Sequence, residues 1–238
     1  MKTDENLLVE RRDANLWITL NRSDKANALA IDMMHSVARA LNAVGEDTAV
    51  RAVILAGTGH RAFCAGVDVR EQPADGDMAA HRLKRSAALT ALLDAVLDTP
   101  KPVVCVLNGI ASGGGAMLAL LADARVAVDT AAISLPEINL GIPTFIGASI
   151  ALHVGGHVLA TDLVQTGRRM AAAEALTRGL VSAVVTREAL DAAGAGVAAQ
   201  LAEKDPKAFA ANKRWLNHAM KAALAEARAE QERQRNRS

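Results

Sequence analysis

A chain of 238 residues is long enough to bury a sizeable core, and with half its residues hydrophobic but only three Phe, two Trp and no Tyr that core must be aliphatic. Lys and Arg (27) nearly cancel Asp and Glu (26), which excludes a chain-wide polyanion binder, and the scarcity of aromatics excludes base-stacking platforms, so no nucleic-acid partner is expected. Cys64 and Cys105 form no CxxC pair; they read as small apolar fillers in a reducing compartment, neither a bridge nor metal ligands.

In chain order, Leu7 to Glu10 and Leu16 to Leu20 read as two short strands joined by the polar turn Asp13-Ala14-Asn15. No signal-peptide apolar region precedes them, since charges run from Lys2 onward. Ile31 to Val44 has helical spacing at Met34, Val37, Ala38 and Leu41, and Arg51 to Leu55 is a buried strand ended by Gly57-Thr58-Gly59. Gly66 to Gly76 is a loop, and His81 to Leu97 an amphipathic helix stopped by Thr99-Pro100. Pro102 to Leu107, Arg125 to Val128 and Val181 to Val185 complete a strand–helix alternation, an α/β pattern in which ligand sites gather beyond the strand ends. The apolar region from Met117 to Val128 is interrupted by Asp123 and Arg125, so no span suits a bilayer and the chain reads as cytoplasmic. From Arg187 onward the signal is helical, with Pro206 dividing two helices and Phe209, Trp215 and Leu216 offering an apolar face; beyond Leu224 it fades into a solvated, fraying end. The expected division is an α/β core over 1–186 and a helical region over 187–238.

Candidate chemistry centres on Asn108-Gly109-Ile110-Ala111-Ser112-Gly113-Gly114-Gly115, between an apolar strand and a helix-like run. Glycine lets backbone N–H groups approach a ligand, and a following helix start adds a positive dipole end, which suits a developing oxyanion. No carboxylate, base or nucleophile follows the glycines, only Met117. Ser112 lacks the GxSxG pattern and a local histidine. His153 and His157 have metal-ligand spacing, but Gly155-Gly156 weakens the helix between them, and no metal is expected. Phe63-Cys64-Ala65-Gly66-Val67-Asp68 allows tight backbone curvature; Asp68 is placed to cap a helix start and aim the Val67 N–H outward, a second donor beside the glycine cradle. Glu137, in an aliphatic run, reads equally as an ordinary surface-loop carboxylate or as one with a raised pKa suited to proton transfer.

Together these segments resemble the enoyl-CoA hydratase/isomerase family, or crotonase superfamily, over roughly residues 5 to 218. Asn21 to Leu29 resembles its early coenzyme A-contacting segment, Phe63 to Asp68 its F-[CS]-A-G-x-D motif, Asn108 to Gly115 its N-G-x-x-x-G-G-G motif and Leu135 to Gly141 its P-E-x-x-x-G segment. Thr166-Gly167-Arg168, Ala172 to Ala175 and Gly179-Leu180-Val181 match later landmarks. The resemblance implies a spiral of β-β-α turns, a C-terminal helical region used in assembly as a homotrimer or dimer of trimers, and an acyl-CoA substrate with no separate cofactor. By motif position, Val67 and Gly114 N–H would form the oxyanion hole, Lys25, Ala26, Ala28, Ala65, Val67, Asp68 and Val69 would contact CoA, and Met117, Pro136 and Thr144 would line the acyl pocket.

Typical hydratases of the family carry two acids, one at the position of Met117 and one at that of Glu137. Methionine can neither activate water nor transfer a proton, whereas some isomerases of the family keep only the later glutamate. The segment Gly141 to Gly147 also departs from the hydratase pattern and is expected to alter the acyl pocket wall, and the chain stops where many relatives add a helix. The reading that results is an enoyl-CoA isomerase with Glu137 as single acid/base. The alternatives are a 2-enoyl-CoA hydratase with its second group supplied elsewhere and a non-catalytic acyl-CoA-binding protein.

Overall fold

The computed structural model describes residues 5–235. A hairpin of β1 (Leu7–Arg12) and β2 (Asn15–Leu20) turns at Asp13, whose φ of +53° suits a short polar residue. After a 3-10 turn at Ser23–Lys25, α1 (Ile31–Ala43) buries Met33, Met34, Val37, Ala38 and Leu41 along one stripe. Then come β3 (Ala52–Gly57), β4 (Ala62–Cys64) and α2 (Met78–Asp98); β5 (Val103–Leu107), β6 (Ile110–Ser112) and α3 (Gly114–Leu121); and β7 (Ala124–Val128), β8 (Ala132–Ser134) and, past a 3-10 turn at Pro136–Leu140, α4 (Phe145–Thr166). This is the expected β-β-α spiral, three times over. β9 (Arg169–Ala171), α5 (Ala172–Thr177), β10 (Ala183–Val185), α6 (Leu190–Ala202) and α7 (Pro206–Arg235) follow.

Each turn gives its first strand to a six-stranded sheet, ordered β1-β2-β3-β5-β7-β10 and parallel apart from β1, and its second to a four-stranded sheet, β4-β6-β8-β9. The runs AVILA in β3 and VVCVL in β5 are wholly buried, as parallel strands covered on both faces must be. Every residue of α3 is buried, so this short apolar helix lies in the middle of the molecule. The Arg125 guanidinium accounts for its C-terminal end, donating to the carbonyls of Ala119, Leu120 and Ala122.

Five expectations need correction. The second sheet and α4 are additional: the strands of that sheet are three residues long, too short to display a period, and α4 is apolar on several sides and kinked at Gly156. Helix α4 also qualifies the expectation about bilayers, since by length and composition alone it is apolar enough to cross one; 39% of that apolar window is packed inside the fold. Asp68 caps no helix. Asp77 caps α2, accepting from Ala79 and Ala80 N–H, while Asp68 accepts from Arg70 N–H in the loop. Finally, the inner face of α7 is Lys213, Met220, Leu224 and Ala227, whereas Trp215 and Leu216 are 78% and 76% exposed. Helix continues to Arg235 in place of a frayed tail; Asn236 to Ser238 lie outside the described residues.

A buried ion pair docks α7. Lys213 Nζ, 4% exposed, donates to Asp123 at 2.6 Å and to the Lys101 carbonyl at 3.2 Å, and Asp123 also accepts from Val103 N–H. Burial holds the Lys213 ammonium pKa below its usual value despite Asp123. Farther along, Asn217 donates to the Leu97 carbonyl, and Lys221 and Arg228 pair with Asp98 and Asp94, so α7 runs antiparallel beside α2. Removing one partner of such a pair strands the other. Lys213→Ala is expected to cost about 3 kcal/mol, lowering the melting temperature by roughly 6–12 °C in a chain of this size. Urea titration followed by circular dichroism checks this; an unchanged midpoint would show that α7 is held by its apolar face alone.

Candidate active site

Two backbone segments cross at the N-terminus of α3. The first runs from Arg22 to Leu29 and is strapped to 65–68: Ala65 N–H donates to the Ala26 carbonyl, Leu29 N–H to Gly66, and Asp68 N–H to Leu29. Arg22 adds a bond from Nη1 to the Ala28 carbonyl and an ion pair from Nη2 to Asp68 at 3.0 Å. Burial alone would raise the Asp68 pKa, but the Arg70 N–H and the Arg22 guanidinium hold it below the usual carboxylate range. Because Leu29 takes both bonds of its bridge with the residues flanking Val67, the N–H of Val67 is turned to the other side.

On that side stands Gly114. A methyl group built on it would lie 3.6 Å from the Val67 nitrogen and 3.5 Å from a Leu89 methyl. Gly113 is the N-cap of α3, with a φ of +52° that favours glycine, and the Gly114 N–H is the first donor of the helix, with no residue of the helix to accept it. The helix sits directly on β4. A β-carbon on Gly115 would fall 2.4 Å from the Cys64 carbonyl and 2.7 Å from its sulfur, so only glycine permits this approach. Two N–H donors, Val67 and Gly114, therefore flank one place.

Glu137, on the 3-10 turn opened by Pro136, faces the same place. Its Oε1 is 3.2 Å from where a methyl on Gly113 would stand, and its buried Oε2 has no hydrogen-bond partner in the protein. Burial pushes the carboxyl pKa up, only partly offset by a bond to its own backbone. Such a group is a base without a dedicated proton partner. Met117 is buried one turn into α3. Its Sδ-bound methyl, the Thr144 hydroxyl and Leu135 all crowd the position of a Gly147 side chain, at 2.9, 2.6 and 3.2 Å, so Met117 and Thr144 both border Gly147.

Of the other expected residues, Lys25 and Ala65 are exposed on the straps, Ala26 and Ala28 half-buried, and Val69 stands 58% exposed beyond them. Leu89, Leu135 and Gly147 are additional neighbours; Leu135 opens the segment that resembles the P-E-x-x-x-G motif and Gly147 ends the departing segment after it, while Leu89 is revealed by tertiary packing. Ser112 shares its hydroxyl with Ser134 at 3.1 Å and has no histidine partner. His153 and His157 are exposed and bond only within α4, and among the described residues no three potential metal ligands cluster. A groove of about 260 Å³ lies elsewhere, between Val50, Lys101, Leu201 and Phe209, and belongs to the junction of α6 and α7 rather than to this chemistry.

A family profile described as enoyl-CoA hydratase/isomerase matches residues 10–237. Over 227 residues the chain is 37% identical to a Rhizobium meliloti protein named "Probable enoyl-CoA hydratase", covering 93% of this chain and 85% of that one. It is 36% identical over 215 residues to carnitinyl-CoA dehydratase of Proteus mirabilis, covering 88% and 79%. The crystal structure of an enoyl-CoA hydratase from Bacillus anthracis superposes with a TM-score of 0.82 at 30% identity, covering 94% of this chain and 90% of that one.

The carboxyl of Glu137 is expected to titrate above 4.5, its ordinary value, in carbon-detected NMR of the labelled side chain. Its folded-state pKa is raised, so the folded chain binds this proton more tightly than the unfolded chain does. Stability from this group is therefore present at low pH and is lost as pH rises through the folded pKa. At pH 7 Glu137→Gln should melt no lower than the parent; a lower melting point would mean that the ionised carboxylate has a stabilising partner.

Proposed function

We propose that this chain, which belongs to the enoyl-CoA hydratase/isomerase family and is an enzyme of that kind, moves the double bond of a 3-enoyl-CoA into conjugation with its thioester. The observation that carries this reading is one buried, unpartnered carboxylate, Glu137, with the thioether of Met117 where a second acid would be needed for water addition. Glu137 takes a proton from C2, and the electron pair moves onto the thioester oxygen between the N–H groups of Val67 and Gly114. Each such donor is typically worth about 10²–10³-fold in rate. When the carbonyl re-forms, the electron pair is pushed out to C4, which receives the same proton, and the double bond comes to rest between C2 and C3. Atoms balance and one base suffices, so no cofactor is required beyond the CoA that the substrate brings. The CoA portion runs along Lys25, Ala26, Ala28 and Ala65 to Val69, with the exposed Lys25 ammonium available to its phosphates. Met117, Pro136, Thr144, Leu89 and Leu135 wall the acyl end.

A second reading, hydration of a 2-enoyl-CoA, is favoured by the relatives whose names are enoyl-CoA hydratase and carnitinyl-CoA dehydratase. In that reading the Thr144 hydroxyl, which with Met117 borders Gly147, would have to hold the water.

Mass spectrometry in deuterated water separates the two. Isomerisation exchanges a proton without adding solvent, whereas hydration adds a whole water. Glu137→Gln should lower 3-enoyl-CoA turnover by about 10³-fold with CoA-ester binding preserved; retained turnover would sink the assignment.

Assembly as a homotrimer, or a pair of trimers, fits the exposed apolar residues Trp215 and Leu216 on α7 and Leu152 and Val158 on α4. Light scattering should find a multiple of three chains, reduced in mass by Trp215→Glu with Leu216→Glu. A monomeric parent would refute the assembly.

A further inference from the structure

We infer that two buried asparagines, Asn27 and Asn108, are positioning residues for the amide pair that receives the thioester oxygen, because they hold the bulge that sets the offset between the two strands leading to those amides. The inference rests on the enolate reading above.

Val67 follows β4 and Gly114 follows β6. These strands pair in parallel with Ala62 opposite Ile110, but it is Cys64, not Phe63, that stands opposite Ala111. Phe63 is thus the extra residue of a bulge. Removing the bulge would slide β4 past β6 by one residue, about 3.3 Å, and carry the Val67 N–H away from Gly114.

A bulge interrupts ladder bonding, and here side chains take over. The Ala62 carbonyl accepts from Asn27 Nδ2 at 2.9 Å and from Asn108 Nδ2 at 3.3 Å. Each amide also holds the turn before β4: Asn27 donates to the Thr58 carbonyl and Asn108 to the Gly59 carbonyl, both at 2.9 Å. Four bonds thereby tie Thr58-Gly59 to Ala62. Asn27 is fully buried with a left-handed φ of +54°, and its Oδ1 accepts from Arg22 N–H at 2.9 Å. It lies two residues before Leu29, whose backbone brackets Val67, so its displacement passes directly to that N–H. Asn108 Oδ1 accepts no hydrogen bond from the protein. An unsatisfied buried acceptor is destabilising, so the two bonds donated by its Nδ2 explain the residue. From outside, Arg187 donates to the carbonyls of Asn108 at 3.1 Å and His60 at 3.3 Å, a brace far from any reacting atom.

The test uses Asn27→Ser, Asn108→Ser and, as a surface change that spares the core, Arg187→Gln. Each variant is melted, titrated with a 2,4-dienoyl-CoA and assayed on a 3-enoyl-CoA. A dienoyl thioester absorbs farther to the red when its carbonyl is polarised, so its bound spectrum reports the amide pair directly. The serine variants should lose about 10- to 100-fold in kcat and part of the red shift, with the dienoyl-CoA Kd within about three-fold of the parent. Arg187→Gln should move kcat and the red shift the same way by about two- to five-fold. Folded variants that keep the parental kcat and red shift overturn the inference, as does a fall in kcat with an unchanged bound spectrum. Should the serine variants not fold, Arg187→Gln decides on the same criteria. A parent enzyme that binds the ester without any red shift overturns the enolate reading itself, and the positioning role falls with it.

Discussion

The contact on which the rest of the molecule depends is the one between α3 and β4, where Gly115 meets Cys64 with no side chain between them. A β-carbon there would need the helix to retreat by more than an ångström. That retreat would separate the first amide of α3 from the N–H of Val67, and it would move Gly113 away from Glu137. The spiral can be read as the scaffold for this approach. Each turn delivers a long buried strand, then a three-residue strand offset into the second sheet, and the second sheet places the ends of β4 and β6 beside each other.

The strongly patterned parts of this architecture were legible in the sequence. Buried runs such as Val53 to Leu55 and the Met34–Leu41 stripe predict their elements because burial on both faces, or on one helical face, leaves a clear signature. The second sheet was not legible, since three residues carry no period. Helix α7 misled for a different reason: apolar reasoning chose Trp215 and Leu216, but the helix is anchored by a charged residue, Lys213, whose partner Asp123 lies 90 positions earlier in the chain. Motif and chemistry single out Glu137, Val67 and Gly114, and the fold brings the three together. The helix-capping role expected of Asp68 was not met, because the ion pair with Arg22 occupies it in the loop. Leu89 reaches the site only through packing from α2, and nothing local marks it.

Met117 also shapes the electrostatics of its surroundings. With a thioether in place of a second acid, no neighbouring anion adds to the burial that lifts the Glu137 pKa. Glu137 thus meets any charge that develops on a bound oxygen without a second carboxylate acting on it. Two anions sharing a small, dry space would compete for the same amides; a carboxylate that surrenders its charge when it takes a proton does not.

The sulfur beneath the helix has a consequence of its own. Cys64 lies directly beneath Gly115, yet burial pushes its thiol up to about 12, outweighing the Gly66 N–H that points at the sulfur. Cys105, equally enclosed, is also pushed up to about 12. Nucleophilic attack and oxidation proceed through the thiolate, which is scarcely populated here at neutral pH. Cys64 is moreover fully buried beneath Gly115, so a reagent reaches its sulfur only if α3 lifts from β4.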